Sequence, residues 1–180
     1  MKIKFILAFL ISINSLSYVK GQDTKSEKPK FSERIYYGGG IGLSFGTVTS
    51  VNINPMVAYK FTPKLSGGLS MTYQYLKRND DFYSYESNSY GASMFARYRF
   101  IEQLYGHVEY ANINYDFFTL AGEVSYRKWV PFLLVGGGYS SQIGQNSILY
   151  LQVLFDVLQD QHSPYESGQP IYSMGIGVGF

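Results

Sequence analysis

From residue 35 to the end, apolar and small or polar residues alternate along the chain with period two. In Ile171-Tyr172-Ser173-Met174-Gly175-Ile176-Gly177-Val178-Gly179-Phe180, every second residue from Tyr172 to Phe180 is apolar, and Ser173, Gly175, Gly177 and Gly179 lie between them. Such alternation predicts a strand with one greasy face and one small or polar face. The same parity runs through Leu149, Leu151, Val153, Phe155 and Val157, which oppose Tyr150, Gln152 and Asp156. Tyr90 to Phe100 alternates likewise, with Arg97 and Arg99 on the small side.

Read in order, the pattern predicts eight strands: Ile35–Phe45, Val51–Phe61, Leu65–Leu76, Asn88–Phe100, Leu104 to about Ile113, about Lys128 to Ser141, Ser147 to about Val157, and the closing strand. The sixth has no clear facing, because Pro131 to Gly138 (PFLLVGGG) is apolar and then glycine on both parities. Pro55 lacks a backbone donor, so a bulge or a gap in pairing is expected there.

The connections alternate in length. Thr62–Lys64, Ile101–Gln103 and Ile143–Asn146 are tight, whereas 77–87, 114–127 and 158–170 are long. Parity survives the tight turns: Phe61 and Leu65 share a face, as do Phe100 and Leu104, as hairpin register requires. Strands of roughly ten residues, short turns at one end and long loops at the other are the pattern of a membrane barrel. The expectation is an all-β, eight-stranded, antiparallel, up-and-down transmembrane β-barrel. Its oily face looks out to lipid, and both termini and the tight turns lie in the periplasm.

Composition agrees. Charged residues make up 16% of the chain, against roughly 25% in an ordinary soluble domain. Tyr (18) and Gly (19) are abundant, and there is no Cys. A disulfide scaffold, a thiolate metal site and a Cys nucleophile are thereby excluded. Residues 1–21 read as a secretory signal, with Lys2 and Lys4 ahead of the apolar run Phe5–Ile13. That run is too short to span a bilayer as a helix. Residues 22–34 read as a flexible lead-in and 35–180 as the barrel. The formal net charge of +2 owes much to Lys2, Lys4 and Lys20, so nucleic acid is not an expected partner.

Eight strands enclose a lumen that side chains can fill. The inward candidates are Lys60, Arg97, Arg99, His107, Glu109 and Asp156. Buried charges of both signs must pair. Arg97 is placed opposite His107, with Glu109 diagonal to Arg97. Arg97, Arg99, His107, Glu109 and Asp156 are expected to form a polar plug. Glycines on the first and last strands (Gly38, Gly40, Gly42; Gly175, Gly177, Gly179) would make room for it.

Other chemistry is sparse. The histidines, His107 and His162, read as lumen filler and loop residue. No catalytic residue, metal site or cofactor is assigned, and Gly38-Gly39-Gly40-Ile41-Gly42 lacks the Lys and helix of a phosphate loop. Asp80 and Asp81 read as solvated carboxylates. The aromatic loop 77–87 reads as part of an aromatic girdle.

The final strand, Tyr172, Met174, Ile176, Val178 and Phe180, resembles the C-terminal signature of bacterial outer-membrane barrels. That resemblance implies recognition by the barrel-assembly machinery. Residues 35–180 as a whole are similar to small barrels of the OmpA/OmpX type. Phe95-Ala96-Arg97-Tyr98, His107-Val108-Glu109-Tyr110, Leu134-Val135-Gly136-Gly137-Gly138-Tyr139-Ser140 and Phe155-Asp156-Val157-Leu158 look like barrel proteins of Bacteroidetes-type bacteria. The implied protein is a non-enzymatic monomer in the cell outer membrane, reached through a cleaved signal. It would serve a structural role or bind a surface ligand through loops 77–87, 114–127 and 158–170. A narrow channel for ions or small solutes is the alternative, followed by a lipid A-modifying enzyme. A soluble lipocalin-like carrier would reverse the faces.

Overall fold

The structure is a computed structural model and describes residues 30–44, 48–79, 84–118 and 124–179. The expected signal segment, most of the lead-in, Asp80, Asp81 and Phe180 lie outside the described residues.

Eight antiparallel strands form one closed barrel: β1 (Ile35–Ser44), β2 (Val48–Lys60), β3 (Leu65–Asn79), β4 (Ser84–Arg99), β5 (Leu104–Phe118), β6 (Val124–Gln142), β7 (Ser147–Asp156) and β8 (Pro170–Val178). Each strand pairs with the next, and β1 meets β8 through Tyr37–Val178, Gly38–Gly177 and Gly39–Ile176. This is the up-and-down eight-stranded barrel that the alternation predicts.

Facing follows parity on every strand. Ile41, Val57, Met71, Met94, Val108, Tyr139, Leu151 and Met174 point outward and are exposed. Arg97, His107, Gln152 and Asp156 point inward and are buried. An apolar exterior around a polar and aromatic interior is the distribution of a barrel whose outer solvent is lipid. A lipocalin-like reversal is ruled out, since Leu149, Leu151, Val153 and Phe155 are all on the outside.

The three tight turns, at 61–64, 100–103 and 143–146, gather at the end where β1 begins and β8 stops. The first is fixed by Thr62, whose Oγ1 accepts from the N–H groups of Lys64 (3.2 Å) and Leu65 (2.8 Å). The lead-in is not loose throughout: Phe31–Arg34 makes a 3-10 turn, and Phe31 lies against Tyr59 with ring centroids 5.2 Å apart. At Pro55 the β2–β3 ladder skips from Ile53–Tyr73 to Met56–Ser70 without changing register. The outcome there is a gap and not a bulge.

Two of the long loops are mostly strand. Backbone pairing continues through Lys77–Glu86 to Asn79–Ser84, and through Asn114–Trp129 to Phe118–Val124. The backbone ladder does not depend on the oily alternation and continues after it has stopped. Cross-strand contacts hold these extensions together. They include the Lys77–Glu86 ion pair and the stacked rings of Phe117 and Tyr126, 5.0 Å apart. The start of β2 at Val48 likewise takes up residues read as a connection.

Strand β6 turns Val130 and Phe132 inward, both almost fully buried, and Trp129, Val135 and Tyr139 outward. Two apolar layers fill the barrel. Tyr36, Met56, Ala58, Phe95, Tyr105 and Tyr150 pack toward the turn end. Ala111, Val130 and Phe132 pack toward the loop end, beneath Tyr115 and Tyr165.

Candidate functional site

The inward charges come from β2, β4, β5 and β7. Arg97 and His107 are direct partners across β4–β5, and Glu109 follows His107 on the same face of β5. The Arg97 Nε–H donates to His107 Nδ1 at 3.0 Å, and His107 Nε2 lies 2.9 Å from Glu109 Oε2. Arg97 has only donors, so Nδ1 must be the acceptor. The ring proton therefore sits on Nε2 and is donated to the Glu109 carboxylate. The histidine is a neutral relay between a cation and an anion.

Gln152 extends the relay across the lumen. Its Oε1 accepts from the Tyr105 hydroxyl at 3.1 Å and from Arg97 Nη2 at 3.4 Å. The Arg97 guanidinium also lies against three rings: Phe95 (4.8 Å), Tyr150 (4.9 Å) and Tyr105 (5.3 Å). A cation held between aromatic faces keeps favourable electrostatics where water is scarce. His107 is 2% and Arg97 8% exposed.

The expected plug is therefore only partly assembled. Arg97, His107 and Glu109 come together, although Glu109 bonds His107 and not Arg97 directly. Asp156 does not join them. It sits at the loop end of β7, where Oδ1 accepts from the N–H groups of Leu158 (3.1 Å) and Gln159 (3.3 Å) and Oδ2 from Ser163 Oγ (3.1 Å). It caps the start of the 158–170 loop. Arg99 and Lys60 line the turn-end mouth, with Lys60 Nζ donating to Gly179 O at 3.0 Å. The strand tilt displaces inward residues of distant strands along the axis, so a shared parity does not mean a shared level.

Of the expected glycines, Gly175 makes room for a tyrosine, and Gly138 on β6 does the same. A Cβ at Gly175 would meet the Tyr150 ring (2.6 Å to Cζ), and one at Gly138 would meet the ring of Tyr105 (2.5 Å to Cζ). These phenol rings lie over the glycines, and both also lie against Arg97. Gln152, Tyr105, Tyr150 and Phe95 belong to the site and were not singled out in the sequence. Their signal is large side chains on the otherwise small inward parity.

At the loop end, Asp116 links three strands. Its Oδ2 accepts from Ser87 Oγ (3.2 Å) and the Asn88 N–H (3.1 Å) on β4, and Arg127 of β6 lies 3.0 Å from its Oδ1. Arg127 also donates to Asn114 Oδ1 and to the Asn88 carbonyl. His162 is a loop residue, 3.1 Å from Asp160 and 3.2 Å from Lys128. In the 158–170 loop, the His162 backbone N–H donates to Asp160 and holds that carboxyl below its ordinary range.

Two spaces flank the braced layer. One of about 250 Å³ lies on the loop side, bounded by Arg97, Glu109, Leu134 and Tyr165. The other, about 330 Å³, lies at the turn end and is lined by Lys60, Arg99, Glu102 and Gln142. No family model matches the chain, and no curated protein does. Among solved structures, it is similar to the N-terminal β-barrel domain of Pseudomonas aeruginosa OprF. Identity is 11% and the TM-score 0.42, over 81% of this chain and 96% of that one.

Proposed function

We propose that this chain is an integral outer-membrane barrel of the OmpA-like kind, with a side-chain-filled lumen and a structural or surface-interaction role. The observation that carries the reading is the opposition of faces. Large apolar side chains are exposed on all eight strands, while Arg97, His107, Glu109 and Gln152 are joined inside. Its solvent partner is outer-membrane lipid, it is delivered by the barrel-assembly machinery after signal cleavage, and it works as a monomer. The loop end, built on the β3–β4 and β5–β6 extensions and the 158–170 loop, is the surface offered to a partner. Membrane fractionation and heat-modifiable gel mobility test the reading. The protein should stay in the outer-membrane pellet and run faster unboiled than boiled. Recovery in the soluble fraction, or one mobility in both conditions, would overturn it.

A narrow channel is the second reading, supported by the two spaces on either side of the braced layer. Conduction would require Arg97 to leave His107 and Gln152. Liposome swelling and single-channel recording separate the readings: ready sugar uptake or steady conductance favours the channel. For a lipid-modifying enzyme, the geometry offers His107 no free nitrogen for a nucleophile. Lipid A mass spectra of His107 and His162 variants address that reading.

A further inference from the structure

The barrel closes unevenly. Strand β1 pairs with β2 through Ser44, and β7 pairs with β8 through Pro170, so both strands stay ordered to their loop ends. Yet β1 and β8 pair with each other only from Tyr37–Val178 to Gly39–Ile176. The glycines trace the parting. A Cβ at Gly38 would meet Ile176 O at 2.7 Å, and one at Gly40 would meet Met174 O at 2.6 Å. At Gly42 the nearest atom is Asn52 Cβ at 3.5 Å, with no β8 atom within 4 Å. The strands diverge toward the loop end, in the half of the wall that faces the outer leaflet.

Behind that wedge lies the space of about 250 Å³, lined by Gly40 of β1 and by Ile171, Tyr172, Ser173 and Met174 of β8 among others. Unpaired backbone at membrane depth is tolerated where it borders a polar cavity. The wall on β2 and β3 is neutral and polar, from Asn52, Asn54, Thr72 and Gln74. The opposite wall is apolar and aromatic, with Leu134, Tyr115 and Tyr165. Asn52 and Ser173 are among the lining residues, and their Oδ1 and Oγ are buried without a hydrogen-bond partner. The charges at its floor, Arg97 and Glu109, are already joined through His107.

We infer that this wedge is a lateral portal and that the space behind it binds the sugar headgroup of a neutral, single-chain glycolipid from the outer leaflet. Amides and hydroxyls on one wall suit sugar hydroxyls, and the aromatic wall suits the apolar faces of a sugar ring. A volume equal to about eight waters, at roughly 30 Å³ each, admits a monosaccharide but not a whole phospholipid. The chain of the amphiphile leaves beside Tyr172 and Met174 into hydrocarbon. This rests on the membrane-barrel reading.

The chain has no native Cys, which permits a direct test in lipid nanodiscs. Every sample is first checked for heat-modifiable mobility; its absence would count against the membrane barrel itself. Under oxidant, Tyr37→Cys/Val178→Cys should close to a disulfide at once. Leu43→Cys/Tyr172→Cys should close at least several-fold more slowly. Equal rates would overturn the portal. A Gln74→Cys probe should react with a membrane-dissolved N-octylmaleimide. Octyl glucoside should slow that reaction several-fold, while glucose and octyl phosphocholine should not. Forcing the 43–172 disulfide closed should abolish the reaction. Labelling indifferent to the closed seam would sink the portal. Equal protection by octyl phosphocholine, or none by octyl glucoside, would sink the sugar site.

Discussion

Arg97 donates to His107 across one rung of the β4–β5 ladder, 3.0 Å from Nε to Nδ1. That single bond fixes the histidine's tautomer and thereby couples Arg97 to Glu109, which it does not touch. Removing His107 leaves a buried cation and a half-buried carboxylate each short of a partner. His107→Leu should cost about 3–5 kcal/mol, read as a lower urea midpoint in lipid vesicles. Replacing Arg97, His107 and Glu109 together by Met, Leu and Leu should recover most of the loss. A triple variant as weak as the single one would show that the braces are not acting as a unit.

Glycine positions differ in what they tolerate. Gly138→Val drives a side chain into Leu151 O and the Tyr105 ring, and Gly175→Val drives one into Tyr150. Each should lose about 1–3 kcal/mol or fail to fold. Gly42→Ala meets only Asn52 Cβ at an ordinary distance and should leave the unfolding midpoint unchanged.

Facing sets the cost of a charge. Leu151→Arg, on the exposed face of β7, should destabilise the barrel by about 2–4 kcal/mol in a bilayer. Gln74→Arg points into the polar side of the lumen and should cost much less. The comparison is made in the same vesicles, and equal losses would argue against an outward lipid face.

Asp116 holds the β4 and β5–β6 extensions together. Asp116→Ala removes the acceptor of Ser87 and Asn88 and the ion-pair partner of Arg127. The loop end should open more readily by about 1–3 kcal/mol, seen as faster proteolysis within 84–90 and 124–128. Heat-modifiable mobility of the barrel should be retained.

The 158–170 loop carries an acid limit. The His162 backbone N–H holds Asp160 below its ordinary value of 3.8. A carboxylate depressed on folding stabilises the folded loop above that ordinary value, and the contribution fades as pH falls through the lower folded value. This contribution to protease resistance of the loop should therefore be flat from neutral pH to about pH 5 and be lost only below 3.8. Asp160→Asn should remove the acid step.

Along the chain, period-two alternation was enough to specify eight strands, their order and which side chains meet lipid. It succeeds because a strand between hydrocarbon and a polar lumen permits only one parity. It fell silent wherever both parities had the same character. Pro131 to Gly138 concealed that Val130 and Phe132 are core, and Lys77 to Glu86 concealed a ladder continuing into water. Which inward residues meet was decided by tertiary structure alone. Tilt and shear carry Gln152 to Arg97 and Tyr105, and send Asp156 to cap a loop. The parting of β1 from β8 beyond Gly39 is likewise a property of closure, since a cylinder's last seam joins residues from opposite ends of the chain, which no local pattern relates.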